Sequence, residues 1–283
     1  MALAIDRIET AGPRNVLGPR NVLGPRHQNR LIIAPQTHAP YGPFLFLAED
    51  WFAPPAGFPT HPHRGMETVT FVLEGQMRHE DHTGAHGKLE AGDVQFMTAG
   101  GGVMYSEMPG PRGVHSLQLW LNLPAAQKMT PARYGDQRAS DAARVTGEGY
   151  EARLYAGELG GSSRPHGSLW PLTLMDLRLD AGAALDLPLK AGWRGFLLVL
   201  EGEAQVGADL AAVKADQHAW AHADGADDIL PVKAQTPVRA LFYAAPIIDE
   251  PVVAHGPFVM NTVDEIRQAF LDYQSGRLTS VRG

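Results

Sequence analysis

Apolar residues along this chain come in short runs broken by glycine and proline, a pattern of strands joined by tight turns. LII at 31–33 and FLFLAEDWF at 44–52 predict two early strands, interrupted by Pro35, Pro40 and Pro43. Pro54, Pro55, Gly57 and Pro59 force a turn, and His61-Pro62-His63 follows it. Residues 67–73, ETVTFVL, are rich in β-branched side chains and predict a strand ended by Glu74-Gly75. Asp81, Thr83 and Gly84 mark a hairpin turn, and Ala91-Gly92-Asp93 a second turn before the strand VQFM. The flexible stretch Ala99 to Gly102 leads into Val103-Met104-Tyr105-Ser106-Glu107, and VHSLQLWLNL at 114–123 predicts a strong strand. Residues 131–149 are charged and small without apolar periodicity, so they predict a linker. Beyond it the strand pattern restarts with LTLMDLRL and a continuous apolar run, Phe196 to Leu200, that ends in Glu201-Gly202. Only the tail departs from this pattern. Thr262 followed by Glu265 predicts a capping box, Ile266, Ala269, Phe270 and Tyr273 fall at helical spacing, and Gly276 suits the position after the last turn.

The two strand-rich halves share landmarks. VLEG occurs at 72–75 and again at 199–202, and His61-Pro62-His63 upstream of the first copy is matched by Leu187-Pro188-Leu189 upstream of the second. Ala91-Gly92-Asp93 has a looser echo in Ala215-Asp216. Duplication of one barrel accounts for the spacing. The expected organisation is an all-β pair of antiparallel barrels: residues 1–130 as a first barrel, 131–149 as linker, and 150–283 as a second barrel with a C-terminal helix. A shorter repeat, GPRNVL, recurs within 12–26. It reads either as a duplicated loop insertion or as a way to set Arg14, Arg20 and Arg26 around an anion.

Composition narrows the chemistry. The 283 residues carry a formal charge of −7, which argues against a nucleic-acid-binding surface, and no cysteine, which removes thiolate metal sites, disulfides and Cys nucleophiles. The first ten residues resemble neither a secretory signal nor a transit peptide, and no apolar run is long enough to span a membrane, so the expected location is the cytoplasm. A P-loop motif, a dinucleotide-binding glycine pattern and a G-x-S-x-G elbow are all missing.

His61 with His63, and Tyr105 with Glu107, are i, i+2 pairs, and on a strand such pairs point to one face. Two strands facing each other across a small barrel would aim all four side chains at one point. Two imidazoles and a carboxylate are a common ligand set for redox-active iron. The leucines at 187 and 189 leave the second barrel without this chemistry. His79, His82 and His86 fall in the hairpin and read as a solvated loop in preference to a second metal site. His115 shares a strand face with Leu117, Leu119 and Leu121, and reads either as a group near the metal inside the barrel or as a buried core histidine. His166, His218, His222 and His255 read as structural.

HPHRGMETVTFVLEG, GDVQFMTAGGGVMYSEMP, HSLQLWLNLP and GPFVMNTVDEIRQAFLDYQSGRL, in this order, resemble segments of the pirin family of bicupins from about residue 30 onward. The resemblance implies one mononuclear, non-haem iron in the first barrel, with other divalent ions as substitutes, held by His61, His63, Tyr105 and Glu107. Position 105 departs from the family, which has histidine there. Tyr105 therefore reads in three ways: not coordinating, coordinating as a phenolate, or weakening the site until it is empty or holds another ion. Glu67 matches a general cupin ligand position but is not the fourth ligand in pirins. The implied activity is a flavonol (quercetin) 2,3-dioxygenase with Glu107 as ligand and proton acceptor. The alternative is a non-catalytic, iron-dependent partner of a transcription factor or a metabolic enzyme. A monomer is expected, because a duplicated barrel already holds within one chain the interface that single cupins make as dimers.

Overall fold

A computed structural model describes residues 2–17, 26–34, 42–165 and 167–280. It contains two antiparallel barrel units and one α-helix. The first barrel is built on a nine-stranded sheet in which Arg133–Gln137, Val94–Thr98, Met66–Asp81, Val103–Asn122, Phe44–Phe52, His27–Ile33 and Asn15–Leu17 lie side by side. Phe58–His63 pairs with Val103–Asn122, and His86–Glu90 with Met66–Asp81. The second barrel has an eight-stranded and a four-stranded sheet closed over an apolar core that includes Leu187, Leu189, Leu197, Val199 and Phe242.

Both copies of VLEG do the same structural work. Pairing with the neighbouring strand slips by one residue between Val72 and Glu74, and again between Val199 and Glu201, so each motif is a β-bulge. The glycine that follows has positive φ in both, +75° at Gly75 and +84° at Gly202. A Cβ there would lie 2.2 Å from the Gly113 carbonyl oxygen in the first barrel and 2.1 Å from the Pro237 carbonyl oxygen in the second. The looser echo is also structural. Gly92 N donates to Val72 O and Asp216 N donates to Val199 O, with φ +86° at Gly92 and +69° at Asp216. Aspartate tolerates this left-handed conformation better than most residues.

The domain boundaries differ from the sequence expectation. Met1–Ala11 belongs to the second barrel, where the strand Arg7–Thr10 pairs with Gln217–Ala223. Ile248–Gly283, with the helix, belongs to the first. The expected linker holds two strands, Arg133–Gln137 paired with Val94–Thr98 and Ala143–Gly147 paired with Tyr150–Leu159. Both lie at sheet edges and are largely half-exposed, so they carry no apolar alternation to read. The helix spans Val263–Gln274 with both hydrogen bonds of the Thr262–Glu265 capping box, and Gly276 has φ +71°. It packs Ile266 and Ala269 against Phe258 and Met260. Tyr273, expected on that packed face, is exposed. No helix among the described residues is long and apolar enough to cross a membrane.

Two buried cations fasten this C-terminal segment to the first barrel. Arg64 donates to the Gly101 carbonyl at 2.7 Å, to Asp272 Oδ2 on the helix at 2.8 Å and to the Leu278 carbonyl at 3.3 Å. Lys128 Nζ donates to the Gly65 carbonyl, Asn122 Oδ1 and the Val259 carbonyl. Burial pulls its pKa down to about 8. Arg14 lies 3.7 Å over the Trp51 ring and Arg26 donates to the Pro54 carbonyl, while Arg20 lies outside the described residues.

Candidate functional site

The two sequence dyads meet inside the first barrel, though not across it. The His61-Pro62-His63 strand pairs directly with the Tyr105 strand, with His61 opposite Tyr105 and His63 opposite Val103. Adjacent antiparallel strands bring the side chains of one face together as well as opposed strands would. The His61 ring lies 4.9 Å from that of His63 and 4.6 Å from that of Tyr105, centroid to centroid. Trp120 packs edge-on against His63 at 5.2 Å.

Each side chain has a distinct hydrogen-bonding state. His61 Nδ1 lies 2.8 Å from the Pro59 carbonyl, which fixes the proton on Nδ1 and leaves Nε2 as the acceptor nitrogen. His63 is buried and neither ring nitrogen makes a well-formed hydrogen bond among the described residues. Burial holds the imidazoles of both His61 and His63 below the usual range, and at His63 the neighbouring His61 adds to the effect. Neutral imidazole is the form that ligates metals.

Glu107 is fully engaged. Its carboxylate accepts from Tyr105 Oη at 3.0 Å, Gln118 Nε2 at 2.8 Å and Thr70 Oγ1 at 3.3 Å. Trp120 Nε1 donates to Gln118 Oε1 and so fixes which end of the amide meets Glu107. Burial raises the Glu107 carboxyl, and the bonds from Gln118 and Tyr105 oppose that shift. Tyr105 is driven well above the ordinary phenol range by burial and by the charge of Glu107. It is a protonated phenol that donates to a carboxylate. Among the described residues no three His, Cys, Asp or Glu side chains converge as a metal-binding group, because Glu107 turns toward Tyr105 and Gln118.

A cavity of about 220 Å³ opens beside the histidines, walled by Phe46, Phe58, Trp120 and Pro257. Larger grooves exist among the described residues, one of about 680 Å³ lined by Pro54, Pro55, Arg78 and His86 among others and two more beside Trp51 and Tyr150, and these three do not include His61 or His63. His27, Asp50 and Gln118 also line the small cavity. None of these three was singled out from sequence. Gln118 had a signal, as a polar residue within an apolar strand; His27 and Asp50 had none.

The other histidines sort differently from expectation. His79 is not in the solvated loop: it alternates inward with Met77 and Asp81, stacks on Tyr134 and lies 3.5 Å from Asp136. His82 and His86 are exposed in the hairpin, as expected. His115 stands on the strand face opposite Ser116, Gln118 and Trp120, stacked on Trp51 and 2.7 Å from Glu49, and does not line the cavity. His218 is buried and accepts from Trp220, His222 meets Asp6, His255 rests on Phe270, and His166 lies outside the described residues. Glu67 points away from the site; its carboxylate accepts from Thr98 and from the backbone N–H groups of Leu169 and Trp170.

Residues 32–121 match the pirin family, and residues 174–279 match the pirin C-terminal cupin domain. The chain belongs to the pirin family. Pirin of Mus musculus is 39% identical over 239 residues, covering 83% of this chain and 82% of that protein. Among solved structures, a quercetin 2,3-dioxygenase from Acinetobacter baumannii superposes with a TM-score of 0.84 at 29% identity over 100% of both chains. The bacterial pirin YhhW of Escherichia coli, solved in complex with nickel(II), gives 0.64 at 21% identity over 86% of this chain and 100% of its own. That last likeness shows the fold alone. Both barrels of this pirin are thus cupins, and the histidine site lies in the first.

Proposed function

We propose that this pirin is a metal-dependent dioxygenase of flavonol-type compounds, with a mononuclear non-haem iron held by His61, His63 and Glu107. The observation that carries this reading is His63: a buried imidazole with no well-formed hydrogen bond at either nitrogen and only a poor contact to the Pro257 carbonyl, beside an imidazole whose tautomer leaves Nε2 ready to bind. Buried polar atoms are rarely left without partners, and an ion between these rings satisfies one on each. The imidazole pair therefore fits a metal, and Glu107 would complete the set by turning from Tyr105 and Gln118. Two imidazoles and a carboxylate with open positions suit Fe(II), and other divalent ions of similar preference compete for them. When bound, the ion supplies a Lewis acid that organises an oxygen-bearing substrate.

The remaining work falls to the chain. The Pro59 carbonyl orients His61. Gln118, itself held by Trp120, orients Glu107. Glu107, made more basic by burial, accepts the proton of a substrate hydroxyl. Tyr105 is read as a protonated donor to Glu107 that does not ligate. Phe46, Phe58 and Trp120 form an apolar wall for an aromatic ring and exclude water. The likeness to a quercetin 2,3-dioxygenase over the full length supports the substrate class.

Elemental analysis followed by oxygen uptake with a panel of flavonols tests this. One equivalent of bound metal and substrate-dependent uptake are expected, with both lost in His63→Ala. Unchanged metal content and uptake in that variant would remove the site assignment. Metal without uptake on any flavonol would remove the enzymatic half and leave an iron-dependent binding protein.

A further inference from the structure

The cavity has a second polar wall that the proposed metal chemistry does not use. His27 Nε2 lies 2.6 Å from Asp50 Oδ1, and the two residues are 1% and 5% exposed. Both line the cavity. Asp50 Oδ2 accepts no hydrogen bond from any described residue and is not sealed off like His27 Nδ1, which is buried without a partner. A buried carboxylate with one hydrogen bond is costly, and native structures seldom leave one so. The surroundings make it stand out. Phe46, Ala48 and Phe52 alternate with it on the same face of the strand Phe44–Phe52, so an apolar residue at 50 would complete a continuous apolar wall. His27 is held edge-on to the rings of Phe52 and Phe58, at 5.5 and 5.3 Å. Phe58 in turn lies 6.0 Å from His61. The dyad is therefore one ring removed from His61 and makes no hydrogen bond to His61, His63 or Glu107.

We infer that His27 and Asp50 form a hydroxyl-recognising pole of the cavity, which binds a compact planar aromatic ligand through one phenolic or enolic O–H. The ligand hydroxyl donates to Asp50 Oδ2, while His27 on Oδ1 holds the carboxylate in place. Phe46, Phe58 and Trp120 contact the ring. The volume of about 220 Å³ is below the roughly 300–1,000 Å³ of sites that enclose a drug-sized molecule, so one or two fused rings fit inside and a larger ring system extends beyond the cavity. This deepens the functional reading above and rests on it only for the aromatic class of substrate. Asp50 becomes a specificity-determining residue rather than a ligand.

The test uses the full chain, stripped of metal by chelation, and measures binding calorimetrically for 2-naphthol and for 2-methylnaphthalene, which has nearly the same shape and no donor. The unmodified protein is expected to prefer 2-naphthol by about tenfold or more, the worth of one hydrogen bond to a charged group. Asp50→Asn, nearly isosteric, closes that gap and leaves the affinity for 2-methylnaphthalene in place. Ala48→Leu, which fills the cavity beside the dyad, weakens both ligands alike. A pair that merely ties two strands together would leave the preference unmoved in Asp50→Asn, and that result overturns the inference. So does the absence of any preference in the unmodified protein, which needs no variant to fold. Because neither metal nor turnover enters the measurement, its failure and a failure of oxygen uptake are separately readable.

Discussion

Tyr105 stands where the pirin pattern has histidine, and its hydroxyl is engaged by Glu107 at 3.0 Å. Phenol is longer than imidazole, and a negative neighbour opposes its ionisation. Iron-loaded, oxidised protein is therefore expected to show no visible tyrosinate charge-transfer band. A strong band on adding ferric ion would make Tyr105 a ligand. His63 supports a second expectation. Burial holds its folded pKa below 6.5, so below that pH the unfolded chain binds a proton that the folded chain refuses. Unfolding then takes up a proton, and stability falls as pH drops from the unfolded value toward the folded one, by up to about 1.4 kcal/mol per pH unit. The second barrel carries leucines at its matching positions, which are free of this penalty. In metal-free protein, His63→Leu should gain more stability relative to the unmodified chain at about pH 5.5 than at about pH 7.5, measured by urea unfolding. Equal differences at both pH values would mean that the imidazole is solvated and titrates normally.

At the scale of elements, what could be read from sequence depended on how local the cause is. The helix was legible because its cap, its spacing and its terminal glycine all lie within one short segment. VLEG was legible as a repeated string, and the structure gives the reason for the string: a bulge followed by a left-handed glycine pressed against a neighbouring carbonyl. The His27–Asp50 contact was not legible, because it joins two strands through residues 23 apart with no motif in either. The sequence leaves His115 between two readings, and the structure excludes the one near the site. In the strand Val103–Asn122, His115 shares the apolar face of Leu117, Leu119 and Leu121, while the site lies on the polar face of Ser116, Gln118 and Trp120; both faces are covered, so burial does not tell them apart. The bulge glycines allow a direct check. Gly75 and Gly182 share the left-handed conformation, at φ +75° and +85°, but a Cβ at Gly182 meets nothing within 4 Å. Gly182→Ala should cost about 1 kcal/mol from backbone strain alone. Gly75→Ala adds a collision with the Gly113 carbonyl and should cost on the order of 2 kcal/mol or more. Equal losses in thermal or urea unfolding would show that the neighbouring strand yields easily.

For the molecule as a whole, neither barrel is a contiguous stretch of chain. The strand Arg7–Thr10 completes a sheet of the second barrel, and the segment after Ile247 completes the first. No local signal marks such an exchange, so the pattern that suggests boundaries at 130 and 149 does not reveal it. Removing residues 248–283 should therefore damage the first barrel, although the cut lies after the second. Amide exchange should quicken over 44–122, where Arg64 and Lys128 lose the Asp272, Leu278 and Val259 acceptors, and should stay slow over 173–246. Faster exchange confined to 173–246 would contradict the division described above.

The position of Pro257 in the cavity wall acquires a temporal meaning from this arrangement. On a ribosome working at about 5–20 residues per second, His61 and His63 emerge on the order of ten seconds or more before Pro257. Through that interval the second barrel is synthesised in between, and the histidines have no finished wall beside them. Enclosure of the proposed metal site then waits on the synthesis of Pro257: a shorter nascent chain carries His61 and His63 without this part of their wall.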